Sequence, residues 1–244
     1  MFTSVDVINS ELIIYLQITL IFFMLFISSY KDVKFREVAD KLWLIFAILG
    51  IILTLFYYLN SPNQFSYLII FYLIITVFIS WGLYILKLYG GADAKCLIVI
   101  SIILPTWNML YGFHQITAIV TLTNSLLVSL IVPLYFVIYN SVKIISGENI
   151  FKGFENESSI KKILAFIIGY RNSTYKKSHM ICIEKNINGD KKFDFGIFSE
   201  KLVITNNFNT WVTFSIPFLI CIGIGFIITI FVGDLYFVLL SLIF

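Results

Sequence analysis

The sequence predicts an all-α polytopic membrane protein: six transmembrane helices with a small α+β cytoplasmic loop subdomain. Three observations lead there. The 244 residues are 59% hydrophobic and only 13% charged, with a mean hydropathy of +0.95, whereas soluble domains carry about 25% charge. Apolar runs of near twenty residues, the length that crosses a bilayer as a helix, recur along the chain. The basic residues are confined to alternate intervals between those runs.

The runs are approximately Leu12–Ser29, Leu42–Leu59, Tyr67–Leu86, Cys96–Leu110, Thr117–Tyr139 and Val212–Val232. The fourth is short and contains Pro105, which favours an early stop. A last run, Leu235–Phe244, is too short to span about 30 Å at 1.5 Å per residue. It is expected at the interface or packed on its neighbours. The amino-terminal end shows neither a basic stretch nor a small-residue cleavage pattern, so the first run is expected to be retained.

Of the seventeen Lys and Arg residues, four follow the first run (Lys31, Lys34, Arg36, Lys41), two follow the third (Lys87, Lys95), and eleven lie between Lys143 and Lys201. By the positive-inside rule these intervals are cytoplasmic and both termini lie outside, in the plasma membrane. The long interval would be weak support by itself; its agreement with the two short ones carries the orientation.

The chain therefore divides into residues 1–139 with the first five helices, a polar segment 140–210, and residues 211–244 with the sixth helix and the terminal apolar segment. Within the polar segment, "IKKILAFIIGYR" has the pattern of an amphipathic helix lying on the membrane. "HMICIEKNINGDKKFDFGIF" reads as two short strands about an Asn-Gly turn. A subdomain of about 70 residues buries little core of its own and is expected to lean on the bilayer. Cys96, Cys182 and Cys221 form no CxxC pair, and His114 and His179 are far apart, so no metal, redox or other cofactor site is suggested. Nothing points to nucleic acid.

Two aspartates stand out. Asp32 closes the first run in "SSYKDVKFREVADKLW", and Asp93 opens the fourth in "LKLYGGADAKCLIV". They are 61 residues apart, yet the topology puts both at one membrane face and nearly one depth. Ionised carboxylates are costly near hydrocarbon unless paired, hydrated or used. Two that meet share a proton, and the pair then holds a water, one acid taking its proton while the other donates to a carbonyl. Such a pair titrates as a unit, so neither acid owns one role. Gly90 and Gly91 lack a Cβ and permit close approach of an extended chain. On residue types alone a plain alternative stands beside this: Lys31, Lys34 and Lys95 are close enough in sequence for solvated interfacial ion pairs. Glu37 and Asp40 are further acids of the same loop, Asp234 is placed to cap the terminal segment, and Asn124 is the prominent amide within a run, suited to interhelical bonding.

Beyond these residues, the sequence resembles a known family. "GGADAK" resembles the GxGD-type motif of intramembrane aspartic peptidases, with Ala92 where many members carry Gly. "DVKFREVADKLW" resembles the segment around the first catalytic Asp of archaeal preflagellin and type IV prepilin peptidases. "WVTFSIPFLICIGIGFIITIFVGD" is similar to their last helix. The likeness spans most of the chain and is weakest in the 140–210 segment.

The resemblance implies a membrane aspartic endopeptidase with Asp32 and Asp93 as the catalytic pair and Gly90, Gly91 and Ala92 as motif residues governing substrate access. It implies as partners precursors of archaellins or type IV pilin-like proteins, whose short, basic class III signal peptides are cut at the cytoplasmic face, and no cofactor. Bacterial relatives carry an extra domain with zinc-binding cysteine pairs and N-methylate the new terminus; without such cysteines, peptidase activity alone is expected. A proton- or cation-coupled transporter is the alternative. Against it stand the absence of an internal repeat and of a charged residue in the middle of any helix, where a conducting path would need one. A filament-assembly scaffold is a third class. Asp32→Asn and Asp93→Asn, which abolish cleavage only in the enzyme, separate the three.

Overall fold

A computed structural model describes residues 4–62, 65–172, 180–187, 190–195, 209–214 and 217–243. The chain divides into two units: residues 1–129 with 217–244, and residues 130–216.

The first unit is helical among its described residues: α1 (Ser4–Phe35), α2 (Asp40–Asn60), α3 (Leu68–Ile85), α4 (Gly91–Ile103), α5 (Thr117–Ser129), α8 (Phe218–Phe231) and α9 (Leu235–Ile243). α4 is the hub. It packs on α1, α2, α3, α5 and α8, and Cys96, Leu97, Ile100 and Ile103 are buried among Ile21, Met24, Ile222 and Phe226. The outward faces of α2 and α3 instead expose large apolar side chains such as Ile52, Phe71 and Phe78. Exposed greasy helix faces with a packed interior are what lipid, rather than water, requires.

By length and composition, Ser10–Phe35, Asp40–Asn60, Leu68–Ile85 and Thr117–Ile145 are each able to cross a membrane. Phe218–Phe231 and Leu235–Ile243 qualify only together and are bent by 65° where they meet. This gives four or five candidate spans among the described residues, short of the six expected from apolar runs.

Two runs account for the difference. α4 has 13 residues, about 20 Å of helix, because Leu104 precedes Pro105 and leaves the helical region (φ −135°, ψ 80°). The backbone then turns through Thr106, bridged to Ile116. The sixth run does not begin as helix at Val212. Thr210–Phe214 forms a strand, as its β-branched and aromatic residues favour, and α8 starts only after Pro217.

The second unit holds α6 (Ile131–Ile145), α7 (Ser159–Ile168) and strands β1 (Tyr170–Asn172), β2 (Met180–Cys182), β3 (Glu184–Ile187), β4 (Asp190–Phe193) and β5 (Thr210–Phe214). The interruption at Leu130 lies three residues before Pro133, which lacks the N–H that would bond to the Ser129 carbonyl. β5 is central in an antiparallel sheet of order β1-β5-β2, with Val212 opposite both Tyr170 and Cys182. β3 and β4 form a separate antiparallel pair, Glu184 opposite Phe193. The expected Asn-Gly turn, residues 188 and 189, and His179 lie outside the described residues. A small aromatic core forms around Trp211, which stacks on Phe151 (5.3 Å between ring centroids), with Phe154 stacked on Phe193 (4.2 Å).

Candidate active site

Asp32 and Asp93 line one cavity of about 800 Å³ in the first unit, together with Gly90, Gly91 and Ala92. Its other walls include Lys31, Arg36, Glu37 and Asp40. The acids arrive from different directions. Asp32 is on the last turn of α1, half-buried, and Asp93 is on the first turn of α4, only 7% exposed.

The chain is shaped locally to put them there. α1 ends where Arg36 takes a left-handed conformation (φ 59°) while its N–H bonds to the Asp32 carbonyl at 3.0 Å. α3 ends in the same way at Lys87 (φ 56°), with Lys87 N–H bonded to Tyr84 O and Leu88 N–H to Leu83 O. This is a helix stop usually made by glycine. Both loops bordering the cavity thus begin with a basic residue in a conformation costing roughly 1–2 kcal/mol for a side-chain-bearing residue. Tyr89 then anchors the α3–α4 loop. Its hydroxyl donates to the Ser80 carbonyl at 3.0 Å and its ring stacks on Phe218.

Gly90 caps α4. Its N–H donates to Asp93 Oδ2 at 2.9 Å, so one oxygen of the acid is held by the backbone at a helix N-terminus, where negative charge is favoured. Neither motif glycine has a positive φ; both are needed for space. A Cβ on Gly90 would sit 3.2 Å from Asp93 Oδ2, and one on Gly91 would sit 3.3 Å from the Tyr84 ring. The glycines make room for the acid and for a packed tyrosine, and both also line the cavity. Ala92 is partly buried against the unit's core.

Lys95 pairs with Asp40 at 2.5 Å. The solvated-pair alternative for Asp93 accordingly does not hold: its nearest base in sequence is engaged across to α2, and among the described residues Asp93 has no ion pair. At the opposite end of α4, Gln17 on α1 donates to Thr54 Oγ1 (3.0 Å). The Thr54 hydroxyl in turn donates to the Ile102 and Ile103 carbonyls (both 2.9 Å). Gln17 is 2% exposed. This chain ties α1, α2 and α4 together and satisfies two carbonyls left open where α4 ends. Asn124 is thus not the sole prominent amide within a run; a glutamine inside Leu12–Ser29 was visible, but nothing in sequence pointed to Thr54 as its partner.

Asn124 itself is fully bonded. It donates to Thr229 Oγ1 (3.0 Å) and Gly233 O (2.8 Å) and accepts from Leu235 N–H (3.0 Å). It closes the bend between α8 and α9, where Asp234 caps α9 by accepting from the Tyr236 and Phe237 N–H groups. No group of three His, Cys, Asp or Glu able to hold a metal occurs among the described residues.

The cavity that Asp32 and Asp93 line is bordered by the two helix stops at Arg36 and Lys87. Comparison with known proteins identifies the family. A model of the type IV leader peptidase family matches residues 19–142, and one described as the archaeal peptidase A24 C-terminus, type II, matches residues 163–235. Preflagellin peptidases are similar along most of their length. That of Methanococcus voltae is 23% identical over 234 residues, covering 86% of this chain and 92% of the relative. That of Methanocaldococcus jannaschii is 25% identical over 230 residues, covering 86% and 91%. The chain belongs to the type IV leader peptidase family. It is a membrane protein and a protease.

Proposed function

We propose that this protein is an aspartic endopeptidase that removes the short signal peptides of preflagellin- and prepilin-like precursors at the cytoplasmic face of the plasma membrane. The observation that carries it is that Asp32 and Asp93 line one cavity, in a chain of the leader peptidase family.

The chemistry follows from the pair. One acid, ionised, takes a proton from a water held between the two; the other, protonated, gives its proton to the scissile carbonyl oxygen as the water oxygen attacks the carbon. The tetrahedral intermediate collapses as the leaving amine gains a proton, and the pair returns to its shared-proton state. An extended segment suits this site, since a helical one hides its carbonyls in hydrogen bonds. Glu37 and Asp40 attract the basic residues of the signal peptide, with Glu37 carrying more of that role because Asp40 is engaged by Lys95.

The orientation is the one set by the basic loops, with both termini outside. Six crossings are reached if α4 counts as one. Surrounded by five other helices, it need not be long enough to meet lipid at both ends, and irregular backbone beyond Leu104 is tolerated where protein covers it.

The test is cleavage in membranes. Membranes containing the protein are incubated with a preflagellin-type and a prepilin-type precursor, and the products are read by mass. A single cut just before the hydrophobic helix of at least one precursor supports the proposal. Intact precursors, with the protein folded, refute it.

A further inference from the structure

α7 leaves an apolar stripe exposed while Ala165 is its buried residue. Ile160, Ile163, Leu164 and Ile167 recur at helical spacing and are all exposed, Ile160 by 72%. The two lysines of the helix, both partly exposed, bond acceptors of the protein beside it. Lys161 reaches the Phe193 carbonyl (3.4 Å) and the Glu157 carboxylate (3.3 Å), and Lys162 the Glu155 carbonyl (3.1 Å). A helix facing water buries such a stripe.

What covers the stripe is indicated by where α7 is tied. Within the same unit, Asn140 on α6 donates to the Phe166 and Gly169 carbonyls (2.9 and 2.8 Å), closing the C-terminus of α7. Asn140 stands five residues before the end of the candidate span Thr117–Ile145, which at 1.5 Å per residue is about 8 Å of depth. Interfacial helices bury their apolar face about 5–10 Å into the boundary between headgroups and acyl chains. Tyr139 with the Lys143 ammonium 5.6 Å from its ring centroid marks the same level, as aromatic and basic residues do at bilayer surfaces. α7 has 10 residues and is too short to cross.

We propose that α7 is an interfacial anchor whose Ile160–Ile163–Leu164–Ile167 stripe is seated in the lipid bilayer, holding the polar unit against the membrane surface. The proposal depends on α6 ending a membrane span and not on which precursor is cut.

The experiment uses the full chain with Cys96, Cys182 and Cys221 replaced by serine, reconstituted in phosphatidylcholine–phosphatidylglycerol vesicles. A nitroxide is attached through Ile163→Cys and, in a second variant, Ile160→Cys. Reference labels are placed at Ile138, on the outward face of α6, and at exposed Glu155. Collision with lipid-soluble oxygen and with a water-soluble nickel chelate is measured. Both α7 sites are expected to favour oxygen over the chelate severalfold, like Ile138. A profile like that of Glu155 overturns the proposal. So does shielding from both reagents, which means that protein, whether a second copy or a precursor, covers the stripe.

Discussion

Lys95 Nζ lies 2.5 Å from Asp40 Oδ1, so the base nearest Asp93 along α4 is committed to the start of α2. The pair ties together two elements of the cavity wall, and among the described residues Asp93 has no ion pair. Both partners are substantially exposed, 44% and 79% by side chain, and pairs of that kind contribute about 0.2–1 kcal/mol. Lys95→Met is therefore expected to lower the thermal unfolding midpoint only slightly and to change the cleavage rate roughly fivefold at most, the equivalent of about 1 kcal/mol. A loss as deep as that of an Asp32 or Asp93 variant would mean that Lys95 takes part in the chemistry.

Gly90→Ala acts on the acid directly. The new Cβ lies 3.2 Å from Asp93 Oδ2, tighter than ordinary contact, and the carboxylate must move. Displacements on the ångström scale cost about a hundredfold in well-oriented reactions. The expected result is a kcat lowered by about ten- to a hundredfold with KM little changed, measured by steady-state cleavage of a precursor. Gly91→Ala presses on the Tyr84 ring instead and is expected to cost less.

Much of this arrangement is legible in the sequence, for identifiable reasons. Apolar runs mark α1, α2 and α3 because lipid-facing helices must be greasy along their whole length. The acids at Asp32 and Asp93 stand out because charge is rare beside such runs. The short form of α4 is harder to see: Pro105 gives the stop, but the run of apolar residues continues to Leu110, and composition does not separate helix from covered loop. The Val212 region is misread for a related reason. In a hydropathy window the strand Thr210–Phe214 merges with α8, and only Pro217 divides them. The Gln17–Thr54–Ile103 connection is invisible in one dimension, since its members meet solely through packing.

Asn124→Leu removes three hydrogen bonds from a buried position and strands the Gly233 carbonyl and the Leu235 N–H. Side-chain bonds inside membrane proteins are worth about 0.6–1.7 kcal/mol each, so a destabilisation of about 1–3 kcal/mol is expected in detergent unfolding. Cleavage at low temperature is expected to persist, because the bend between α8 and α9 is remote from the acids in the hydrogen-bond pattern.

Gly225→Ala is expected to be worse than its size suggests. A Cβ there would meet Ser125 Oγ at 2.3 Å and the Thr121 carbonyl oxygen at 2.7 Å. The hydroxyl can be removed, but the carbonyl belongs to the α5 backbone and cannot yield without separating α5 from α8. Overpacking of this kind costs about 1–3 kcal/mol. Adding Ser125→Ala to Gly225→Ala is expected to leave most of the loss in place, read as folded yield and thermal midpoint; full rescue would show that the hydroxyl alone sets the contact.

The most direct measurement is precursor cleavage by Asp32→Asn and by Asp93→Asn, assayed separately in membranes at matched protein levels. If one water is activated between these two side chains, each replacement reduces cleavage to background while span topology and expression stay unchanged. Cleavage at the unaltered rate by either variant would contradict the shared-proton mechanism.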